Sequence, residues 1–431
     1  CESKNKANLK FQNLKINGKS SLIGEVKISG AKNSALVLLA ASLLTEEKIT
    51  LYNVPDLSDI DKMQHILKSL GVKLTNETDS NEKLVINSKD LHICELPFEL
   101  VNSLRASFFC IGPLLSKLGE ASLALPGGCN IGARPIDEHI KGLRALGAEI
   151  KIHGGIIKAN INGSKKRLIG SRIHLACPSV GATETLIMAA TLAEGTTIIH
   201  NAAREPEVQD LCQMLNKMGA KIYGAGKSKI IIYGVEKLKG CSHRVIPDRI
   251  EAGTFLIAAA ATYSSITVSP VIPHHLTSVL DKLKESGSKI FIKNDSISIK
   301  TQSIKAVNIK TSPFPGFPTD LQAPFTVLMS IAKGTSKISE TIFENRMNHV
   351  HELNKMGAHI SVHKSTAFIK GVNELKGDKL IGLDLRSTAA IIIAALTANG
   401  NSSVSGLEHL DRGYEHFEWK LNKLGAKLAR N

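Results

Sequence analysis

At 431 residues and 43% hydrophobic, the chain exceeds the roughly 250–300 residues at which one core usually stops growing, so two domains are expected. No apolar run reaches the ~18 residues of a membrane span, since the best, Ser34 to Leu44, is bounded by Lys32 and by Glu46-Glu47. The polar first ten residues lack a signal peptide's apolar core, so a cytoplasmic, membrane-free protein is expected. The formal charge of +15 suits an anionic partner, but the basic residues run along the whole chain and aromatics are only 4%, which argues against base stacking and a nucleic-acid partner.

In chain order, a first strand leads into Ser29-Gly30-Ala31, and Lys32-Asn33-Ser34 opens an apolar helix whose N-terminus would favour an anion. The spacing is not that of a P-loop. Next comes the first copy of a recurring pattern, Leu67–Leu74 (LKSLGVKL), repeated at Leu143–Ile150, Leu215–Ile222, Leu283–Ile290, Leu353–Ile360 and Leu421–Leu428. The six glycines, Gly71, Gly147, Gly219, Gly287, Gly357 and Gly425, are separated by 76, 72, 68, 70 and 68 residues. Each copy reads as an amphipathic helix stopped by a left-handed glycine and followed by a strand. Upstream of several copies lies a second helix, apolar on nearly every side, as in Ala182–Leu192, Ala252–Ala261 and Thr388–Leu396; such helices belong in an interior. The unit is strand, buried helix, strand, surface helix, glycine, then strand or hairpin, too long for a solenoid. Three units per domain are expected, with helices inside and sheets outside.

Between the first and second glycines lies Leu125–Pro135 (LPGGCNIGARP), which reads as a flexible lid carrying the thiol of Cys129 and the guanidinium of Arg134, a fork of donors for phosphate or carboxylate. The bland alternative is a plain loop with a solvent-facing thiol. The seven cysteines are scattered without Cys-x-x-Cys, so neither a disulfide framework nor a metal site is expected. Twelve arginines occur in a lysine-dominated chain, several in compact clusters: Ser103-Leu-Arg105, Pro247-Asp-Arg249-Ile-Glu251, Glu344-Asn-Arg346, Asp384-Leu-Arg386 and Asp411-Arg412. Bidentate recognition of an anion is one reading of these, and a structural Asp–Arg pair within each cluster is the other.

Gly30-Ala-Lys-Asn33, LPGGCNIGARP, PDRIEAGTF from Pro247, FPTDLQAPF from Phe317, FENR from Phe343, DLR from Asp384 and DRGYE from Asp411 resemble, in order, the motifs of the UDP-N-acetylglucosamine enolpyruvyl transferases. The likeness runs from about Gly24 to the C-terminus. It implies an α/β fold of two inside-out barrels, each of three βαβαββ-type units, with residues 32–246 inserted between 1–31 and 247–431. It implies transfer of the enolpyruvyl group of phosphoenolpyruvate to the 3-hydroxyl of UDP-N-acetylglucosamine, the first committed step of peptidoglycan precursor synthesis. The enzyme would be a monomer without metal or cofactor.

By the same resemblance, Cys129 would be the general acid toward C3 and the target of fosfomycin, and Asp320 the base for the sugar hydroxyl. Lys32, Arg134 and Arg412 would hold the phosphate of phosphoenolpyruvate, with Arg346 and Arg386 around its carboxylate and the intermediate. Asn33 and Ile342 would hold the sugar. Arg105, Pro135, Ile136, Asp137, Ser179, Val180 and Gly181 would hold the diphosphate and uridine. One position departs: Cys177 stands where a lysine often precedes the Ser-Val-Gly turn, which implies weaker nucleotide affinity.

Attack of a hydroxyl on C2 of an enol phosphate, with protonation of C3, needs an acid and a base on opposite sides. Fixed cations can stabilise a ketal that keeps both phosphate and carboxylate. Lys32, Arg134, Arg346, Arg386 and Arg412 are expected to form a strongly positive pocket, and domain closure on the nucleotide sugar is expected to assemble it. Two rivals stand beside this reading: transfer to shikimate 3-phosphate, and a non-catalytic paralogue binding a nucleotide sugar or a nucleic acid.

Overall fold

The computed structural model describes residues 13–76, 83–125, 135–161 and 167–431. The chain forms two compact units, crossing from the first to the second between Ser29 and Gly30 and returning between Ile246 and Pro247. Among the described residues no helix is long and apolar enough to cross a membrane.

The sixfold pattern in the sequence becomes six sheets, three per unit. All six repeat glycines have positive φ, from 92° at Gly147 and Gly357 to 111° at Gly287. Each follows a surface helix of the form expected, such as Ser58–Ser69, Pro206–Lys217 or Thr277–Glu285, because glycine enters the left-handed region without a Cβ clash. In three copies the helix end reads Leu-Asn-Lys, and the asparagine amide grips both backbone groups of the strand residue six positions on. Asn216 holds Ile222, Asn354 holds Ile360 and Asn422 holds Leu428, at 2.8–3.1 Å. This clamp was not foreseen from the sequence, although the repeated Asn is its signal.

A typical sheet places a parallel edge strand beside a central strand, with an antiparallel hairpin on the other side. Arg172–His174, Thr196–His200, Lys229–Tyr233 and Lys221–Tyr223 are in this order, as are Ile309–Lys310, Thr335–Ser339, Thr366–Lys370 and His359–His363. In the last sheet of the first unit, Leu14–Asn17 from the start of the chain fills the slot between Asn401–Ser405 and Leu428–Arg430. In the second unit the edge strand Ser242–Arg244 returns to pair with Ile49–Tyr52.

The inner helices are buried along most of their length, as their sequences require. In the first unit these are Arg249–Ala261, Gln322–Ser330 and Leu385–Thr397, which pack on one another. In the second they are Lys32–Ala41, Ile111–Leu118 and Val180–Thr191. Every residue of Ala252–Ala260 is 0% exposed in the hydrophobic positions, and each such large aliphatic or aromatic side chain contributes about 1.5–3 kcal/mol by leaving water. Two of these helices start at aspartate caps. Asp248 accepts from the amides of Ile250 and Glu251, and Asp384 forms a capping box with Ser387, each worth about 1 kcal/mol.

Candidate active site

In the first unit, polar side chains gather where the inner helices begin. Asp320 lies in the short turn Thr319–Leu321 that leads into Gln322–Ser330. Arg386 lies in the first turn of Leu385–Thr397, directly after the Asp384 cap. Their meeting follows from the packing of those two helices side by side. Arg346 Nη2 is 2.6 Å from Asp320 Oδ1, and Arg386 Nη2 is 2.9 Å from Asp320 Oδ2. Both guanidiniums are buried while Asp320 is partly exposed. Arg346 stacks near the Phe343 ring at 5.3 Å, and Arg386 near the Tyr414 ring at 5.2 Å.

The electrostatics follow from that burial. Desolvation alone would depress Arg386, but Asp320, then Tyr414 and Asp248, more than reverse it and raise its pKa. Burial likewise raises the Tyr414 hydroxyl against the opposing pull of Arg386, and Tyr414 shares a 2.9 Å hydrogen bond with Thr254. His349, fully buried next to Arg346, is pushed down to about 4 by burial and is neutral at pH 7. Among the described residues, Arg346 Nε and Arg386 Nη1 are buried with no hydrogen-bond partner, so both guanidiniums retain donor capacity. Ile342 is half-buried, its amide donating to Glu340 Oε1 at 2.8 Å. Arg412 is also half-buried and lies in the turn after Leu407–Leu410.

In the second unit, Lys32 begins the helix Lys32–Ala41 and is 8% exposed, with Nζ 2.6 Å from Asp59 Oδ2. Asn33 beside it is exposed. Ser34 hydrogen-bonds Asp210, whose other oxygen is 2.7 Å from His243 Nε2. Ser179 caps Val180–Thr191 through its hydroxyl. Next to that turn, a Cβ at Gly181 would lie 3.0 Å from His139 Nε2. His139 is pushed down to about 4 by burial, with Arg105 adding to the effect. The turn of Ser179, Val180 and Gly181 therefore has a neutral imidazole and the Arg105 cation in its neighbourhood. Pro135, Ile136 and Asp137 lead into Asp137–Ala145, with Pro135 and Asp137 exposed. Cys177 is exposed. Cys129 and Arg134 lie outside the described residues.

Lys32, Arg346 and Arg386 are each paired with a carboxylate, because a buried cation needs a partner to offset desolvation. At two of the arginine clusters the aspartate and the arginine do not pair with each other. Asp384 caps backbone amides while Arg386 reaches Asp320, and Asp411 makes a two-pronged pair with Arg430 at 2.8 and 2.9 Å. The residue missed altogether is Glu340, whose carboxylate accepts from Thr311 and Thr319 hydroxyls, each at 2.9 Å. Its only sequence signal is an acid directly after a strand in the Ser-Glu-Thr run. Among the described residues no cluster of His, Cys, Asp and Glu could hold a metal ion.

Residues 16–421 match the family model described as EPSP synthase (3-phosphoshikimate 1-carboxyvinyltransferase). A UDP-N-acetylglucosamine 1-carboxyvinyltransferase of Prochlorococcus marinus (strain MIT 9515) is 72% identical over 430 residues, covering 100% of this chain and 93% of that protein. One of the same name from Synechococcus sp. (strain CC9605) is 56% identical over 421 residues, covering 97% and 96%. Among solved structures, the enolpyruvyl transferase NikO from Streptomyces tendae superposes with a TM-score of 0.88 at 24% identity, over 97% of this chain and 99% of that one. EPSP synthase from Acinetobacter baumannii follows at 0.77 and 18%, over 98% and 100%. Both show the fold.

Proposed function

Because this chain belongs to the EPSP synthase family, with that family's two-unit α/β fold, we infer that it transfers the enolpyruvyl group of phosphoenolpyruvate to the 3-hydroxyl of UDP-N-acetylglucosamine and releases phosphate. The observation that carries this choice of acceptor is the 56–72% identity, over almost the whole chain, to proteins named for it. Transfer to shikimate 3-phosphate has only the name of the family model in its favour.

In addition, the sugar oxygen bonds to C2 of phosphoenolpyruvate while its proton passes to Asp320 and C3 takes a proton from Cys129. In elimination, a C3 proton returns to the Cys129 thiolate, its electron pair re-forms the double bond, and the C2–O bond breaks with its pair leaving on phosphate, which takes the proton held by Asp320. Asp320 suits the base role because its two oxygens accept one guanidinium each, leaving further lone pairs for a hydroxyl. Arg346 and Arg386 retain buried donors and supply fixed positive charge to a carboxylate or ketal anion without reorganising. Arg412, Lys32 and Arg134 take the phosphate. Lys32 pairs with Asp59 in this structure, so binding phosphate there means sharing or exchanging that partner.

Asn33 and Ile342 hold the sugar, and Arg105, Pro135–Asp137 and the Ser179–Gly181 turn hold the diphosphate and uridine. His139 beside Gly181 is neutral, so the positive charge at this turn comes from Arg105. The enzyme acts as a monomer in the cytoplasm.

Phosphate release from phosphoenolpyruvate tests this directly. Release is expected with UDP-N-acetylglucosamine and not with shikimate 3-phosphate, and is expected to be lost in Cys129→Ala and Asp320→Asn. Release with the shikimate acceptor alone, or with neither, overturns the reading.

A further inference from the structure

We propose that Glu340 is a positioning residue for the transfer, orienting Asp320 and Arg346 through the hydroxyl of Thr319 and holding the Ile342 backbone directly. The proposal rests on the reading of Asp320 as the base.

Glu340 stands directly after the strand Thr335–Ser339 and is 4% exposed. Its Oε1 accepts from Thr311 Oγ1 at 2.9 Å and from the amides of Ile342 at 2.8 Å and Phe343 at 3.2 Å. Its Oε2 accepts from Thr319 Oγ1 at 2.9 Å. No cation among the described residues pairs with it, so a buried carboxylate is compensated by four neutral donors, an arrangement that ties down each of them.

Thr319 is the decisive link. Its hydroxyl hydrogen points to Glu340, so its lone pair faces Arg346 Nη1, which donates to it at 2.9 Å. The other arm of Arg346 reaches Asp320 at 2.6 Å. Thr319 is also the residue before Asp320, so the same hydroxyl anchors the backbone that presents the carboxylate. A side-chain amide at 340 offers a donor as well and would allow the hydroxyl to turn. A carboxylate has no donor, and the hydroxyl can only give its hydrogen to it.

Comparison among the repeats shows that the acid is a departure. In the five four-stranded sheets, the residue following the strand beside the parallel edge strand is Asn53, Asn201, Pro270, Glu340 and Gly406 in turn. Asn53 and Asn201 use their amides to hold the backbone after the parallel edge strand, at Val245 O and Leu175 O, 3.0 and 2.9 Å away. Glu340 makes the equivalent reach to Thr311, after Ile309–Lys310. It then extends to Thr319, which a purely structural tie does not need. At the starts of the other two inner helices of this unit, Asp248 and Asp384 cap backbone amides, whereas Asp320 takes the two guanidiniums.

The test uses the full chain, with kcat and KM from phosphate release and folding checked by urea denaturation. Glu340→Gln and Thr319→Val are each expected to lower kcat about 10- to 100-fold, with KM for both substrates within about threefold, as a misplaced reacting group does. The double variant is expected to be no worse than the poorer single one, since both cut the same link. Thr319→Ser, which keeps the hydroxyl, is expected to recover most of the loss. Should Glu340→Gln fail to fold, the near-isosteric Thr319→Val and Thr319→Ser pair decides alone. Unchanged kcat in folded variants, additive losses, or no recovery in Thr319→Ser would overturn the proposal while loss of activity in Asp320→Asn leaves the base assignment standing. Full activity in Asp320→Asn would instead remove the base assignment itself.

Discussion

Replacing Lys420 with methionine is expected to destabilise the first unit by an amount that grows with pH. Lys420 Nζ lies 2.6 Å from Glu251 Oε1, 2.6 Å from Ser29 Oγ and 3.9 Å from Glu415 Oε2, and the Lys420 and Glu251 side chains are 7% and 3% exposed. Burial pushes the Glu251 carboxyl up to about 7, with Lys420 the main group opposing it. A carboxyl raised in the folded state stabilises the protein below its unfolded pKa, and this contribution is lost as pH rises through the folded one. In the parent that loss levels off as pH passes above about 7. Without Lys420 the folded pKa moves higher still.

Below about pH 6 both proteins then hold a neutral Glu251 and differ little on this account. Above pH 7 the parent ionises against its lysine, whereas the variant must keep its proton or bury an unpaired carboxylate. The gap opens at about 1.4 kcal/mol per pH unit, reaching about 3 kcal/mol near pH 9, the lower end of the cost of breaking a buried pair. Urea unfolding at about pH 6, 7.5 and 9 measures it through Trp419, the single tryptophan of the chain, which precedes Lys420 on the helix Phe417–Lys423 of the same unit. Lys420→Met combined with Glu251→Gln should show no such pH dependence. A penalty that is equal at every pH, or greater at pH 6 than at pH 9, would refute the reasoning.

Gly357→Ala tests the helix-stop role in isolation. With φ at 92° and nothing within 4 Å of the added Cβ, the cost is backbone strain alone, about 1–2 kcal/mol, read from the Trp419 urea midpoint; a change under about 0.3 kcal/mol contradicts it. Thiol mapping tests the burial pattern. Cys110 and Cys212 are pushed up to about 12 by burial, while Cys177 is exposed. Brief iodoacetamide treatment near pH 8 followed by peptide mapping should label Cys177 and spare the other two, and labelling of Cys110 or Cys212 in the folded protein would contradict the packing.

Much of the architecture was legible because its signals are local. Gly71 through Gly425 mark helix ends by a conformation that only glycine enters freely, and all six have it. Runs such as Ala252–Ala261 mark interiors because no face is polar. The lead-in Lys32-Asn33-Ser34 does open a helix. The candidate site was legible as a set of residue types but not as a network. Nothing near Arg386 in the chain indicates that its partner is Asp320, 66 positions away, or that Asp411 would choose Arg430 over the adjacent Arg412. Glu340 was invisible for the same reason: its significance lies in Thr319, 21 positions earlier.

By itself, then, the sequence determined the repeat, the helix and strand order, the interior helices and the family's motifs, since each depends on periodicity or on one residue's own conformational range. Only the tertiary structure decided that Leu14–Asn17 completes the sheet of Asn401–Ser405, that Ser242–Arg244 closes onto Ile49–Tyr52, and that the cations of the candidate site are matched by Asp59 and Asp320. Such pairings are chosen by packing and by the cost of burying an unmatched charge or strand edge, and neither leaves a mark in the neighbouring residues.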